Sequence, residues 1–261
     1  MKYIVFSFDD GRKDTYTEAL PILKKYGLTA TVNIVPDYIL HAERYPQFLT
    51  QAMTVDMILQ MQREGYEIAC HGYSHQNTAQ DVLKNIDSFA QWGLDTAELG
   101  FASPYSELTQ PLGSEFAELL AQKKLAYIRS GTQIRREGAV YAAAAIANDR
   151  LHAKRLFYSL NKDKPANVKE KRTFYQGVGI NCHTSVGEIA YMLEKMPDEH
   201  VLILIYHSVL DAQQMQRYQN KWTTDKQDFE ALCAWVAQNK ALSAVTMKDV
   251  LHFSSEQVPT A

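Results

Sequence analysis

The chain opens with Tyr3-Ile4-Val5-Phe6-Ser7-Phe8-Asp9-Asp10-Gly11, and this stretch sets how the rest is read. Tyr3–Phe8 is rich in apolar and aromatic residues and predicts a strand, which stops abruptly on two carboxylates and a glycine. A helical period follows over Thr15–Tyr26, with Asp14 or Thr15 as its cap; Thr15 and Glu18 have capping-box spacing and Gly27 supplies a left-handed terminator. Leu28–Val35, with its Thr and Val residues, predicts a second strand. The rhythm then repeats: helix over Val55–Arg63, strand over Tyr66–Cys70, helix over Thr78–Trp92, strand over Glu98–Ala102, helix over Leu112–Lys124, strand over Leu125–Arg129. Strands alternating with helices in this way predict βαβ units, hence an α/β fold with parallel pairing.

Residues 131–176 break the rhythm, being charged and turn-rich with an apolar run at Val140–Ala147 and a polar loop at Asn161–Lys171. One or two strands within an irregular excursion are expected there. Order returns with a strand over Gly177–Cys182 and a second capping-box spacing, Ser185 to Glu188, opening a helix to Lys195. Val201–Tyr206 is continuously apolar, as a strand buried on both faces requires. A helix over Asp228–Asn239, a short strand over Ala244–Thr246 and a helix over Lys248–Phe253 complete the pattern, with a frayed tail expected from Ser254.

A chain of 261 residues that is 46% hydrophobic and 22% charged excludes collagen-like and disordered classes. One domain over 1–261 is the simplest organisation, since no linker or repeat interrupts it. The net charge of −3, from 27 basic and 30 acidic residues, leaves no basic footprint for nucleic acid and no pull toward anionic membranes. No run approaches the roughly 20 apolar residues of a membrane span. Met1-Lys2 leads straight into the first strand, so no secretory signal is read and a cytoplasmic location is expected. Cys70, Cys182 and Cys233 are too scattered for a disulfide framework and are expected reduced and mostly buried.

Polar residues collect just beyond the C-terminal ends of the strands: Asp9 and Asp10, His71 and His75, Pro104 and Tyr105, His183, and His207. In a parallel barrel these ends open on one face, where active sites lie. His71 and His75 form an H-x-x-x-H pair. Two imidazoles with one carboxylate, from Asp10 or Asp9, make a catalytic zinc-type ligand set, leaving the other carboxylate to act as a base. Two adjacent carboxylates repel each other, so a cation beside them is the expected relief.

Ser7-Phe8-Asp9-Asp10-Gly11, His71–His75 and Leu204-Ile205-Tyr206-His207 together resemble the S/T-F-D-D-G, H-x-x-x-H and late-strand histidine motifs of the polysaccharide deacetylase family (carbohydrate esterase family four, the NodB-homology domain). The run from Ala19 to Leu23 and on through Gly27 to Thr31 follows the family's first helix and second strand. The resemblance implies a distorted (β/α) barrel of about seven parallel strands and a metal-dependent hydrolase of N-acyl groups, chiefly N-acetyl groups on amino sugars. By motif position Asp9 would be the general base, Asp10, His71 and His75 the ligands of one divalent metal, and His207 the general acid, acting near its ordinary pKa. Zinc is the expected ion, with cobalt or nickel as alternatives. The Tyr105 backbone amide would add an oxyanion donor.

Two departures stand out. The family's R-x-P-Y-G motif reads Ala102-Ser103-Pro104-Tyr105-Ser106, without the arginine that pairs with the base, and no D-x-x-D-W motif lies between 131 and 176. Arg129, ending the next strand, is the expected substitute, since a guanidinium can span one strand and its fork can hold a carboxylate bidentately. His183 would line the site or enter the following helix, and Trp222 would stack on a sugar ring or pack. His41, His152, His200 and His252 are expected at the surface or packed, and Arg135-Arg136 solvated. The expected activity is removal of an N-acyl group from an amino-sugar-containing substrate. The alternatives are a catalytically weak sugar-binding protein, a deformylase or a cyclic-ureide-opening hydrolase.

Overall fold

The computed structural model describes residues 1–45, 51–108, 114–131 and 138–253, so Arg135-Arg136 and the tail from Ser254 lie outside the described residues. The elements run β1 (Lys2–Phe8), a π-helical turn (Thr15–Ala19) leading into α1 (Leu20–Lys25), β2 (Thr31–Ile34), α2 (Pro36–Leu40), α3 (Val55–Arg63), β3 (Glu67–Cys70), α4 (Ala79–Trp92), β4 (Gly100–Ala102), α5 (Ser114–Ala121) and β5 (Tyr127–Gly131). Next come α6 (Gly138–Leu151), α7 (Lys154–Asn161), β6 (Ala166–Asn167), β7 (Phe174–Gly179), α8 (Val186–Lys195) and β8 (His200–Tyr206). The chain ends through β9 (Ser208–Leu210), α9 (Ala212–Tyr218), β10 (Thr223–Asp225), α10 (Lys226–Gln238), β11 (Leu242–Ala244) and α11 (Met247–Phe253). Among the described residues no helix is long and apolar enough to cross a membrane.

The strand order β1-β2-β3-β4-β5-β7-β8 closes on itself through β8–β1, giving a barrel of 7 parallel strands. The seam is long: Tyr3–Phe8 pairs residue by residue with Val201–Tyr206. By contrast β1 meets β2 only at Ser7 and Phe8, because β11 takes its lower half. This uneven pairing is the distortion in the barrel.

Period-two alternation sorts the strands into an inner and an outer set. Ile4, Phe6 and Phe8 of β1 face the surrounding helices with Leu202, Leu204 and Tyr206 of β8, where rings of Phe6, Phe8, Tyr206 and Phe229 cluster edge-on and stacked. Val5, Tyr127, Tyr175, Ile203 and Ile205 fill the barrel interior as a second core. The inner positions above that plug are polar: Ser7, Asn33, Asp9, His71 and Arg129. Filling the lower barrel with apolar side chains leaves the strands' C-terminal end to chemistry.

Three expectations change. The strands expected within 131–176 are the two-residue β6, antiparallel to β8, and the start of β7, but the rest of the excursion is two helices, and the apolar run Val140–Ala147 lies within α6. The run is alanine-rich, and alanine favours helix over strand. Asp14 and Thr15 do not cap the first helix with their side chains, since the chain is already helical at Asp14. The Asp14 carboxylate instead accepts from the Val209 amide at 2.9 Å. Strand β7 ends at Gly179, three residues earlier than the hydropathy suggests. The capping box at Ser185 and Glu188 is present in full. Cys70 and Cys233 are buried and Cys182 exposed, all as free thiols.

Candidate active site

The two aspartates after β1 should face opposite sides of the strand, yet both approach His71. Asp9 Oδ2 lies 3.8 Å and Asp10 Oδ1 3.6 Å from His71 Nε2. The cause is a left-handed backbone at Asp10 (φ 77°) followed by Gly11 (φ 73°). Aspartate tolerates this region better than most residues, and the kink swings the second carboxylate into the mouth beside the first. A side chain at Gly11 would also press on Ile34 and Ile39, each 3.2 Å from its Cβ position.

His71 continues β3, and His75 returns to it through a loop with left-handed residues at Gly72 and His75. The loop is held from beneath by Asp81, whose carboxylate accepts from the Ser74 and Gln76 amides at 3.0 Å and from Ser74 Oγ at 2.7 Å. A Cβ on Gly72 would stand 2.7 Å from Asp81 Oδ2, so glycine is required there. The result places His75 Nε2 3.2 Å from His71 Nε2 and 3.6 Å from Asp10 Oδ1. One ligand atom from each of Asp10, His71 and His75 lies within 4.8 Å of the others.

The donor set fits a divalent metal. His71 Nδ1 sits 2.8 Å from the Ala102 carbonyl, which only accepts, so Nδ1 carries a proton. In its neutral form His71 would therefore present its Nε2 lone pair toward Asp10 and His75, and such outer hydrogen bonds orient metal-binding imidazoles. Two imidazoles and one carboxylate with room for further ligands match a catalytic zinc-type site.

Asp9 is 3% exposed and is gripped through one oxygen: Asn33 Nδ2 donates to Oδ1 at 2.8 Å, and Arg129 donates to the same atom through Nη2 alone, not through the bidentate fork expected of it, because Asn33 shares that oxygen and Oδ2 turns to His71. Oδ2 is the oxygen turned toward His71. Arg129 is itself buried, and its β5 position is in register with Ala102 of β4, the place where the motif arginine is missing. Asp10 has a second arginine. Arg12 Nε and Nη2 donate to Asp10 Oδ2 at 3.0 and 2.7 Å. The mutual repulsion of the two carboxylates is therefore relieved first by Arg129 and Arg12, residents of the fold, rather than by a metal alone.

Burial would push both carboxyls up, but the guanidiniums and imidazoles outweigh it: Asp9 falls below the ordinary range under Arg129, His71 and His207, and Asp10 well below under Arg12 and His71. For His71 burial works against the charged form, yet Asp9 and Asp10 raise its pKa. His75, with burial and His71 both against its charge, is lowered to about 4. His207 does not keep the ordinary histidine pKa expected of it, because burial lowers it more than Asp10 and Asp9 restore. Its ring packs at 5.4 Å against Trp222.

Pro104 is buried and starts a short helical turn over Pro104–Ser106 in which Tyr105 and Ser106 are left-handed (φ 53° and 54°). Serine thus keeps the backbone form that the motif glycine would adopt without strain, and Gly131 beneath it leaves room for the Ser106 hydroxyl. The Tyr105 ring is 68% exposed and packs edge-on against His75 at 4.5 Å. Trp222 is 41% exposed and roofs Gly179, whose Cβ position lies 3.2 Å from the indole. His183 lies exposed past the early end of β7, and its amide donates to Asn181 Oδ1. His41, His152, His200 and His252 sit in surface ion pairs or hydrogen bonds.

Sequence reasoning passed over Arg12, Asn33 and Asp81. Asn33 left a signal, a lone amide at an inner position of Thr31–Ile34. Arg12 and Asp81 are recognised only by what folding brings to them. A cleft of about 460 Å³ opens at the opposite end of the barrel, near Glu67, Glu98 and Lys248. Lys248 Nζ lies 3.6 Å from Glu98 and 3.9 Å from Asp95 there, and Glu67 accepts from Thr31, Tyr127 and the Lys248 amide.

The motif geometry has a counterpart among known proteins. Residues 1–120 match the polysaccharide deacetylase family model. The matched stretch includes the Ser7–Gly11 and His71–His75 motifs, while the late-strand histidine, His207, lies beyond it. YxkH, a Bacillus subtilis (strain 168) protein named for polysaccharide deacetylation, is 32% identical over 74 residues, which is 28% of this chain and 24% of that protein's length. Among solved structures, a Mycobacterium smegmatis protein named for the same activity superposes with a TM-score of 0.59 at 13% identity, covering 98% of this chain and 91% of its own. A family 4 acetyl xylan esterase from Clostridium thermocellum, solved with cobalt, gives 0.51 at 14% identity over 95% and 89% of the two chains. At these identities the structural likeness speaks for the fold alone.

Proposed function

We propose that this protein is a metal-dependent hydrolase that removes acetyl groups from a carbohydrate substrate, with N-acetyl groups of amino sugars as the preferred target. The observation that carries the reading is the convergence of Asp10, His71 and His75 on one point, beside an Asp9 gripped through a single oxygen. A divalent ion held by those three ligands would supply Lewis acidity to the acyl carbonyl. Zinc suits the set, with cobalt or nickel as alternatives.

The chain's own residues supply the rest. Asn33 and Arg129 hold Asp9 by Oδ1, which leaves Oδ2 to take the proton of the attacking water. Arg129 keeps that carboxylate ionised and oriented. His207 gives a proton to the departing nitrogen or oxygen, and its lowered pKa makes its protonated form a strong donor. The Tyr105 amide would face the developing oxyanion. Tyr105 and Trp222 offer exposed rings beside the metal ligands and the acid, where sugar rings can stack; Pro104 shapes the wall between, and His183 is left to the rim.

Arg129 beside Asp9 and the retained left-handed turn at Ser106 favour turnover over the sugar-binding reading, because the arginine and the glycine missing from the R-x-P-Y-G motif are both compensated. The test is acetate release from acetylated xylan and from N-acetylglucosamine oligomers, before and after chelation and with zinc, cobalt or nickel restored. Release that chelator abolishes and His75→Ala does not show supports the proposal. Release indifferent to both, or none on any acetylated sugar, overturns it.

A further inference from the structure

The S/T-F-D-D-G motif ends one residue before Arg12, so no role read from the motifs falls on this side chain. Yet Arg12 is only 9% exposed and clamps Asp10 Oδ2 with two nitrogens, while Nη1 donates to Ser208 Oγ at 3.3 Å. Ser208 is fully buried and directly follows His207, so one guanidinium ties the ligand aspartate to the strand that carries the acid. With Oδ2 taken, Asp10 has Oδ1 to offer, the atom 3.6 Å from both imidazoles.

We infer that Arg12 is a built-in counter-cation of the metal site: it balances Asp10 when metal is absent and opposes the ion when metal binds. The inference rests on reading Asp10, His71 and His75 as the ligands. A buried carboxylate without a partner is strongly unfavourable, so a metal-free site needs a resident positive charge to stay assembled. Arg129 does this for Asp9, and Arg12 does it for Asp10. The same charge stands beside an incoming divalent ion, and like charges repel strongly where water is excluded. Arg12 therefore holds metal affinity below what these three ligands alone would give. A charge-balanced ligand set also neutralises less of the ion's charge, leaving more to act on the acyl carbonyl.

The experiment compares wild type, Arg12→Gln, Arg12→Lys and the double variant Asp10→Asn/Arg12→Gln, each stripped of metal. Thermal melting with and without zinc, and zinc affinity by competition with a chromogenic chelator, are the readouts. Arg12→Gln should melt several degrees lower without zinc, gain more from zinc than wild type does, and bind it about tenfold tighter or more, as expected when a like charge near the ion is removed. Arg12→Lys should stay close to wild type in both. The double variant should recover the metal-free melting temperature, because no carboxylate is left to balance; a mere anchor to Ser208 would not be rescued this way. Arg12→Gln protein recovered folded only with zinc supports the inference in stronger form. Weaker zinc binding in Arg12→Gln, or a double variant no more stable than the single one, overturns it. Wild type that takes up no zinc would defeat the ligand reading by itself, while the metal-free melts still decide whether Arg12 balances Asp10.

Discussion

Moving one arginine across one strand is the sharpest test of the candidate base. Arg129 is 1% exposed and in register with Ala102, so the two Cα positions are one strand spacing apart, about 4.8 Å. Arg129→Ala removes the buried partner of Asp9, at a cost of about 3–5 kcal/mol of stability. For a protein of this size that lowers Tm by roughly 10 °C. The base also loses its orientation and sits at a higher pKa, which should take about 10²-fold from kcat, within the range of general-base contributions. Arg129→Lys keeps the charge but not the rigid planar group that aims Nη2 at Oδ1, and should lose about tenfold with a smaller change in Tm. Ala102 lies at an inner position of β4, so Ala102→Arg added to Arg129→Ala returns a guanidinium to the motif position with the vacated space to occupy. Rates on a nitrophenyl acetate ester at saturating zinc, metal content and melting temperature should be measured together. The double variant should exceed Arg129→Ala in both rate and Tm at unchanged metal content. Wild-type kcat in Arg129→Ala would refute the role of Arg129. A folded, metal-loaded double variant no faster than Arg129→Ala would refute the claim that the two positions are equivalent.

Asp9→Asn should retain metal and lose about 10²–10⁴-fold in rate, whereas Asp10→Asn should lose metal by elemental analysis; wild-type turnover in Asp9→Asn would mean another base. Ser106→Gly should raise Tm by about 2–4 °C, since it relieves roughly 1 kcal/mol of left-handed strain, and an unchanged melt would show that Ser106 is not strained. Burial raises the pKa of Glu67 despite hydrogen bonds from Thr31, the Lys248 amide and Tyr127. The folded state therefore binds this proton more tightly than the unfolded chain, and stability from Glu67 is greatest at low pH and falls as pH rises through its raised pKa. Denaturant titrations should show Glu67→Gln lacking this decline, and parallel wild-type and variant curves would count against it. Trp222→Ala should raise KM for oligosaccharide more than for a nitrophenyl ester, because stacking serves the sugar ring and not the acyl group; equal effects on both would remove the platform.

The sequence by itself determined the alternation of parallel strands and helices, because its signals are local, while the barrel was implied by the resemblance of its motifs. The run Tyr3–Phe8, apolar or aromatic at all but Ser7 and ending at Asp9, and the continuous run of Val201–Tyr206 read as buried parallel strands whatever surrounds them, and they form the long seam of the closed barrel. The same periodicity put Asp9, His71, Arg129 and His207 at strand ends that open on one face. Periodicity failed where composition overrode it, in the alanine-rich α6, and where a strand's end is set by its neighbours, as at Gly179. Only the tertiary structure decided which charges meet. Asp10 joins Asp9 because a left-handed kink defeats the strand's alternation. Arg12 reaches Asp10 and Ser208, which are 196 residues apart from it at the far partner, and Asn33 and Arg129 reach Asp9 from β2 and β5. A strand's period follows from its own backbone, but the pairing of buried charges depends on which side chains closure of the barrel forces together out of water.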